Sequence, residues 1–340
     1  MNNTQTATKV TKETKNKIRV DFERTPLLER LKAKLINLYT LKRVVWYLFR
    51  FLLLLGISYI ILFPFFSKVA SSFMTPEDLV DVTVRLIPKH PTLDTYKAII
   101  TGNNYFVALG NTFLLSAVCA LLQMFVCCFI AYGFAKFKFK GNGILFLLVI
   151  FTMVVPHATL SLSMSTKFKY FDILGIIQLL TGSTPSLLNT NWPLYILSMT
   201  GLAYKNGLFI FMLRQFYRGI PDELEESAYL DGSGIFRTFF RIILPLSGTM
   251  MITVFMFAFC WQWTDNFYTE LFYNITGPTL LPDIIKVPKA LNTNYAGSNL
   301  YIAAIKNACG MLIVAPLIIL YLFGQRYIVQ GIERSGLTAD

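Results

Sequence analysis

Apolar residues along this chain fall in long unbroken runs rather than in short alternating or amphipathic stripes. Six of the runs approach or exceed the roughly 20 residues that a membrane-crossing helix requires. They lie at about 46–66, 106–134, 143–163, 194–213, 244–268 and 301–324. Pro64, Pro156 and Pro316 fall within or at the ends of runs, where neighbouring helices are expected to satisfy the carbonyls a proline leaves unpaired. Ahead of the first run, residues 1–24 are rich in Thr, Lys and Asn, and are expected to lack fixed structure. From Thr25-Pro26 onward, Leu27, Leu28, Leu31, Leu35 and Leu38 recur at helical spacing among Glu29, Arg30, Lys32 and Lys34. That pattern predicts an amphipathic helix lying on the inner membrane surface.

The longest polar interruption in the second half, Pro221 to Pro245, has its own layout. Pro221 suits a first helical turn, where a missing N–H costs nothing. Asp222, Glu223, Glu225 and Glu226 place negative charge at the positive end of a helix dipole. Gly232 and Gly234 permit the left-handed residue that ends a helix and reverses the chain. A second short helix is then expected, apolar at Ile235, Phe236, Phe239, Phe240 and Ile243 and basic at Arg237 and Arg241. A helix–glycine–helix wedge held between two apolar runs presents a face to something outside the bilayer.

Composition agrees with the runs: 54% of 340 residues are hydrophobic, 15% are charged and the mean hydropathy is +0.53, as in polytopic membrane proteins. The net charge of +12 points to membrane orientation rather than nucleic acid, because the basic residues gather beside apolar runs. With the N-terminus inside, inner segments hold 21 basic residues and outer segments eight, which predicts both termini and the Glu226 loop in the cytoplasm. All five cysteines lie inside apolar runs, so free thiols packed among helices are expected. Residues 1–25 have no apolar h-region or small-residue cleavage site, so no secretory signal is read there.

The wedge carries a family resemblance. Glu226-Ser227-Ala228, three residues, Gly232, nine residues, then Ile242-Ile243-Leu244-Pro245 is similar to the coupling-loop signature of binding-protein-dependent ABC importer permeases, with every interval kept. Ser227 stands where the family usually has Ala, one small residue for another. Softer likenesses cover most of 45–335: Met74-Thr75-Pro76, Asn111-Thr112, Gly133-Phe134-Ala135, Thr152-Met153 with Pro156, Arg214-Gln215-Phe216-Tyr217, and Gln325-Arg326-Tyr327. The nearest subgroup resembles the second permease of carbohydrate-uptake transporters related to the maltose permease pair. The resemblance implies an all-α membrane protein of six transmembrane helices, the type I importer permease fold with a cytoplasmic coupling helix. Residues 1–44 would be the basic tail and interfacial helix, 45–325 the spanning domain with its coupling loop at 214–245, and 326–340 a cytoplasmic tail. It implies as partners a second, homologous permease forming a heterodimer, two cytoplasmic ATPase subunits and an extracytoplasmic solute-binding protein. It also implies ATPase-coupling roles for Glu225, Glu226, Ser227, Ala228, Gly232, Ile242, Leu244 and Pro245. The segment 176–188 is longer than the family's usual link and would face the binding protein.

Chemistry that the residues lack sharpens the reading. No phosphate-binding Gly-x-x-x-x-Gly-Lys-Ser/Thr loop occurs, so ATP and Mg are expected to be used by the partner ATPases and no cofactor is expected on this chain. Only two histidines, His90 and His157, are present, with no His-Glu-x-x-His pair, so no metal site is expected. Candidates for a solute path are polar and aromatic groups at membrane depth: Lys205 and Asn206 in the fourth run, and Trp261, Trp263, Asp265 and Asn266 ending the fifth. Snorkelling of Lys205, or its pairing with a carboxylate of the partner permease, and interfacial placement of the tryptophans explain the same residues equally well. The expected function is the permease subunit of an ATP-driven oligosaccharide importer in the cytoplasmic membrane. A non-sugar solute and a stand-alone secondary transporter are the alternatives.

Overall fold

The computed structural model describes residues 9–13, 19–23, 38–273, 277–295 and 298–334. The chain divides into two compact units, residues 1–68 and 69–340. In the first, strands β1 (Lys9–Glu13) and β2 (Arg19–Glu23) pair antiparallel with Lys9 opposite Glu23. The tail expected to lack fixed structure is thus ordered over these ten residues. Val10, Thr11, Val20 and Phe22 supply the β-branched and aromatic residues that favour strands. The amphipathic helix expected from Thr25 falls almost wholly on 24–37, outside the described residues; helix α1 is observed from Leu38 to Ser72.

Every other described element is helical. The main helices are α2 (Tyr105–Lys136), α3 (Asn142–Val154), α4 (Ser161–Lys169), α5 (Trp192–Met199), α6 (Asn206–Arg218), α7 (Glu223–Leu230), α8 (Gly248–Trp263) and α9 (Asn299–Arg334). Among the described residues three helical stretches are long and apolar enough to cross a membrane: Lys42–Ser72, Tyr105–Lys136 and Asn299–Gly331. Two bent pairs, meeting at 95° beyond Val154 and at 76° beyond Leu246, raise that to five if each pair is one span.

The differences from the apolar runs all sit at backbone breaks. The third run bends at Val155-Pro156, where proline pushes its predecessor out of the helical region; Val155 has ψ 122°. The fourth run, 194–213, is two helices rather than one. Gly201, at φ +76°, closes α5: the Leu202 N–H reaches the Leu197 carbonyl at 3.0 Å in the six-to-one bond of a glycine-terminated helix. Lys205, also left-handed at φ +69°, opens α6. Hydropathy cannot register such a break, because the residues on either side remain apolar. The fifth run begins beyond a bend at Ser247 and its helix ends at Trp263 rather than near residue 268. Pro221, expected in the first turn of the wedge, lies just ahead of the N-cap Asp222.

The core forms where α2 packs against α6 and α8, and α8 against α9. Cys127, Phe209, Leu213, Tyr217, Met250 and Trp263 are buried there, and all five cysteines are free. In a membrane such packing relies on close backbone approach and interhelical hydrogen bonds. Gly331 lies against Thr253, whose hydroxyl donates to the Tyr327 carbonyl at 2.9 Å. Pro316 inside α9 has no N–H for the Leu312 carbonyl four residues earlier. The Tyr105 hydroxyl donates to that carbonyl at 3.1 Å, and at the next residue the Trp263 indole N–H donates to the Ile313 carbonyl at 3.0 Å. Tyr105→Phe is therefore expected to destabilise the bundle by about 0.6–2 kcal/mol, visible as a lowered Tm in detergent. An unchanged Tm would mean that the carbonyl finds another donor.

Candidate functional site

Two places gather the chemistry: the wedge around α7, and a cavity at the opposite ends of the helical segments that flank it.

Acidic Glu223, Glu225 and Glu226 occupy the first turn of α7, the end where a helix dipole favours negative charge. Its other end closes at Gly232, φ +77°. The Ser233 N–H donates to the Ala228 carbonyl at 2.9 Å and the Gly232 N–H to the Tyr229 carbonyl at 3.0 Å, the paired bonds of a Schellman turn. A Cβ at Gly232 would meet nothing within 4 Å, so glycine is required there by conformation and not by space.

The motif residues divide between two faces. Glu225 and Ala228, each 6% exposed, turn inward. Glu226 and Ser227 turn outward, with Leu230 at 89% and Phe236 at 74% exposure beside them. The close approach that Ala228 permits is therefore to its own chain. Beyond the turn, Ile242 and Leu244 are half-buried and Pro245 is exposed. Pro245 cannot donate a helical hydrogen bond, and just ahead of it the helix widens: the Leu244 N–H reaches back five residues to the Phe239 carbonyl. The Ser247 N–H then bonds the Ile243 and Leu244 carbonyls, and the bend there directs the chain into α8.

Beneath the inward face lies a polar cluster that sequence reasoning did not single out. The Tyr132 and Tyr229 hydroxyls donate to Glu225 Oε2 at 3.0 and 3.3 Å. Lys136 Nζ stands 3.5 Å from Glu225 Oε1, an ion-pair distance without a hydrogen bond. It also donates to the Ile220 carbonyl at 2.7 Å and to Asp222 Oδ1 at 2.6 Å. The Lys136 side chain is only 6% exposed, so it joins the last turn of α2 to the first turn of α7. Its hydrogen bond and charge hold the Asp222 carboxyl below the ordinary carboxylate range. In the sequence Lys136 counts only among the 21 basic residues of the inner segments. Its distinguishing mark is a cation in the final turn of an apolar run, which can meet an acidic helix start elsewhere in the chain.

The second place is a cavity of about 1060 Å³ between the α3–α4 bend, the break between α5 and α6, and the end of α8. Of the solute-path candidates, Lys205, Trp261, Asp265 and Asn266 line it. Asn206 and Trp263 are not among its lining residues: Asn206 is buried behind Lys205, and Trp263 is the core residue bonded to α9. His157, Tyr204 and Tyr268 join the lining from segments far apart in sequence. The Tyr268 hydroxyl and His157 Nδ1 are hydrogen-bonded at 2.9 Å, and the His157 ring packs edge-on against Tyr204 with centroids 4.8 Å apart. Asp265 accepts the Tyr268 and Thr269 N–H groups at 3.3 and 3.1 Å, and Asn266 donates to Glu270 at 2.9 Å. Trp261 is held between Phe209 and Phe257, stacked at 5.5 and 5.8 Å. The cavity therefore combines aromatic faces, hydroxyl and amide groups and one ammonium, a set that suits a polyhydroxylated solute.

The geometry joins the two places. Helix α6 runs from the cavity wall at Gly207 and Leu208, in its first turn, to the threshold of the wedge at Arg218, about 20 Å for its length. Helix α8 starts at the bend after the wedge and ends at the cavity wall, about 24 Å.

Residues 123–334 match the family described as binding-protein-dependent transport system inner membrane component. The galactooligosaccharides transport system permease protein GanQ of Bacillus subtilis (strain 168) is 28% identical over 301 residues, covering 87% of this chain and 96% of that protein. The arabinooligosaccharides transport system permease protein AraQ of Halalkalibacterium halodurans is 27% identical over 286 residues, 83% and 92% of the two chains. Among solved structures, a chain from a bacterial ABC transporter involved in the import of the acidic polysaccharide alginate shares the fold. Its TM-score is 0.64 at 17% identity, covering 84% of this chain and 97% of that one.

Proposed function

Because the chain belongs to the family of binding-protein-dependent transport system inner membrane components, we propose that it is the permease through which an oligosaccharide enters the cell, driven by ATP hydrolysed on separate subunits. A member of this family is a non-catalytic membrane subunit of a transport complex, and it works with partner components. The partners in this reading are a second permease paired as a heterodimer, two cytoplasmic ATPases that bind ATP and Mg, and an extracytoplasmic solute-binding protein. Both termini and the α7 wedge lie on the cytoplasmic side. Relatives that carry galacto- and arabino-oligosaccharides support a sugar cargo.

One observation carries the mechanism: the two helices that leave the wedge, α6 and α8, each end in the wall of the aromatic cavity. A wedge displaced at one end moves both walls at the other. Lys136 ties α7 to α2, so the three helices respond together rather than letting the wedge hinge freely. The exposed row of Glu226, Leu230 and Phe236 offers the ATPase a charge and two apolar contacts. ATP-driven closure of the ATPases pulls the wedge, opening and shutting the cavity in turn.

Purification of the chain from its native membrane tests the reading. An ATPase subunit that remains bound, together with vanadate-sensitive uptake of labelled oligosaccharide in proteoliposomes, is the expected result. Uptake that follows an ion gradient and ignores vanadate would overturn it.

A further inference from the structure

Resting on the reading of the cavity as a glycan path, we infer that the saccharide it takes carries carboxylates, a uronic-acid oligomer, with the Lys205 ammonium as counter-ion to an acid group. Lys205 Nζ stands 4.4 Å from the centroid of Tyr204 and 5.7 Å from that of Trp261. Among the described residues no carboxylate lies within ion-pair distance of it. Asp265 is the one acid lining the cavity, and its two oxygens already accept the Tyr268 and Thr269 N–H groups. His157 meets Tyr268 through Nδ1 and brings no negative charge. The cavity therefore has a cation left over in apolar, aromatic surroundings.

A neutral sugar filling this space would strip water from the ammonium and return only ring faces and hydroxyls. A uronate returns a charge-assisted hydrogen bond at the same position while its C–H faces lie on Trp261 or Tyr204. The Lys205 backbone is left-handed at φ +69°, and its ammonium lies over the Tyr204 ring, which turns it toward the aromatic wall of the cavity.

The test uses the complete transporter in nanodiscs, without soluble binding protein, titrated with trigalacturonate and with its neutral methyl ester. Quenching of tryptophan fluorescence, to which Trp261 contributes, reports occupancy. Wild type is expected to bind the acid about tenfold more tightly than the ester, the scale of one hydrogen bond to a charged group. Lys205→Gln should remove that preference by weakening the acid alone, Lys205→Arg should keep it, and raised salt should erode it. Equal affinity for acid and ester in wild type, or a Lys205→Gln variant weakened equally for both, would overturn the inference while leaving the oligosaccharide reading in place. Binding of neither glycan would also overturn the inference, whereas the reading it rests on falls only if vanadate-sensitive oligosaccharide uptake is absent.

Discussion

Gly232→Val is expected to abolish ATP-driven uptake while solute capture by the binding protein continues unchanged. The residue ends α7 at φ +77°, a conformation that costs an L-residue about 1–2 kcal/mol and a β-branched one more. Nothing lies within 4 Å of a Cβ placed there, so the substitution creates no clash and acts through the backbone alone. Relief of the strain requires the Ser233–Ala228 and Gly232–Tyr229 hydrogen bonds to open. The second arm of the wedge, which leads through Pro245 into α8, would then leave its fixed angle to the first. Gly232→Asn, which tolerates the left-handed region, should retain a substantial part of the uptake. Measured uptake in proteoliposomes, beside basal ATPase activity, decides the matter. Undiminished transport by the valine variant would remove the coupling role from this turn.

Lys136→Met should be the most destabilising single change in the wedge, at roughly 3–5 kcal/mol, because it leaves a buried carboxylate without its cation. Glu225 would keep only the Tyr132 and Tyr229 hydroxyls, and the Ile220 carbonyl would lose its donor. The contact between α2 and the start of α7 would loosen, and uptake should fall by more than tenfold even in the fraction that folds. The double variant Lys136→Met with Glu225→Gln separates charge from packing. It should recover most of the lost stability, since a neutral amide needs no counter-ion, while coupled uptake stays low. Melting temperatures of the single and double variants provide the check. Additive losses in the double variant would show that the two groups do not interact.

Much of the architecture was legible in the residues because its causes are local. A run of apolar side chains becomes a helix wherever the backbone cannot be solvated, and the acidic start and glycine stop of α7 are written at adjacent positions. The prolines were legible only as places that leave carbonyls unpaired: the bends of 95° beyond Val154 and 76° beyond Leu246 depend on what each segment packs against. The interruption at Gly201–Lys205 was not legible at all, since glycine inside an apolar run reads equally well as packing or as a stop.

The site shows the same division. Residue order alone determined that this chain is helical and membrane-embedded, and that one polar wedge with fixed glycine and proline positions interrupts it, because hydropathy and backbone preference are properties of neighbours in sequence. Only the tertiary structure decided that Glu225 faces inward to Lys136, 89 positions away, while Glu226 faces outward. Only it brought His157, Lys205 and Tyr268 to one cavity and sent Trp263 into the core. The reason is physical: a buried charge must find its partner and a freed carbonyl its donor wherever packing supplies one, and that distance is set in space and not along the chain.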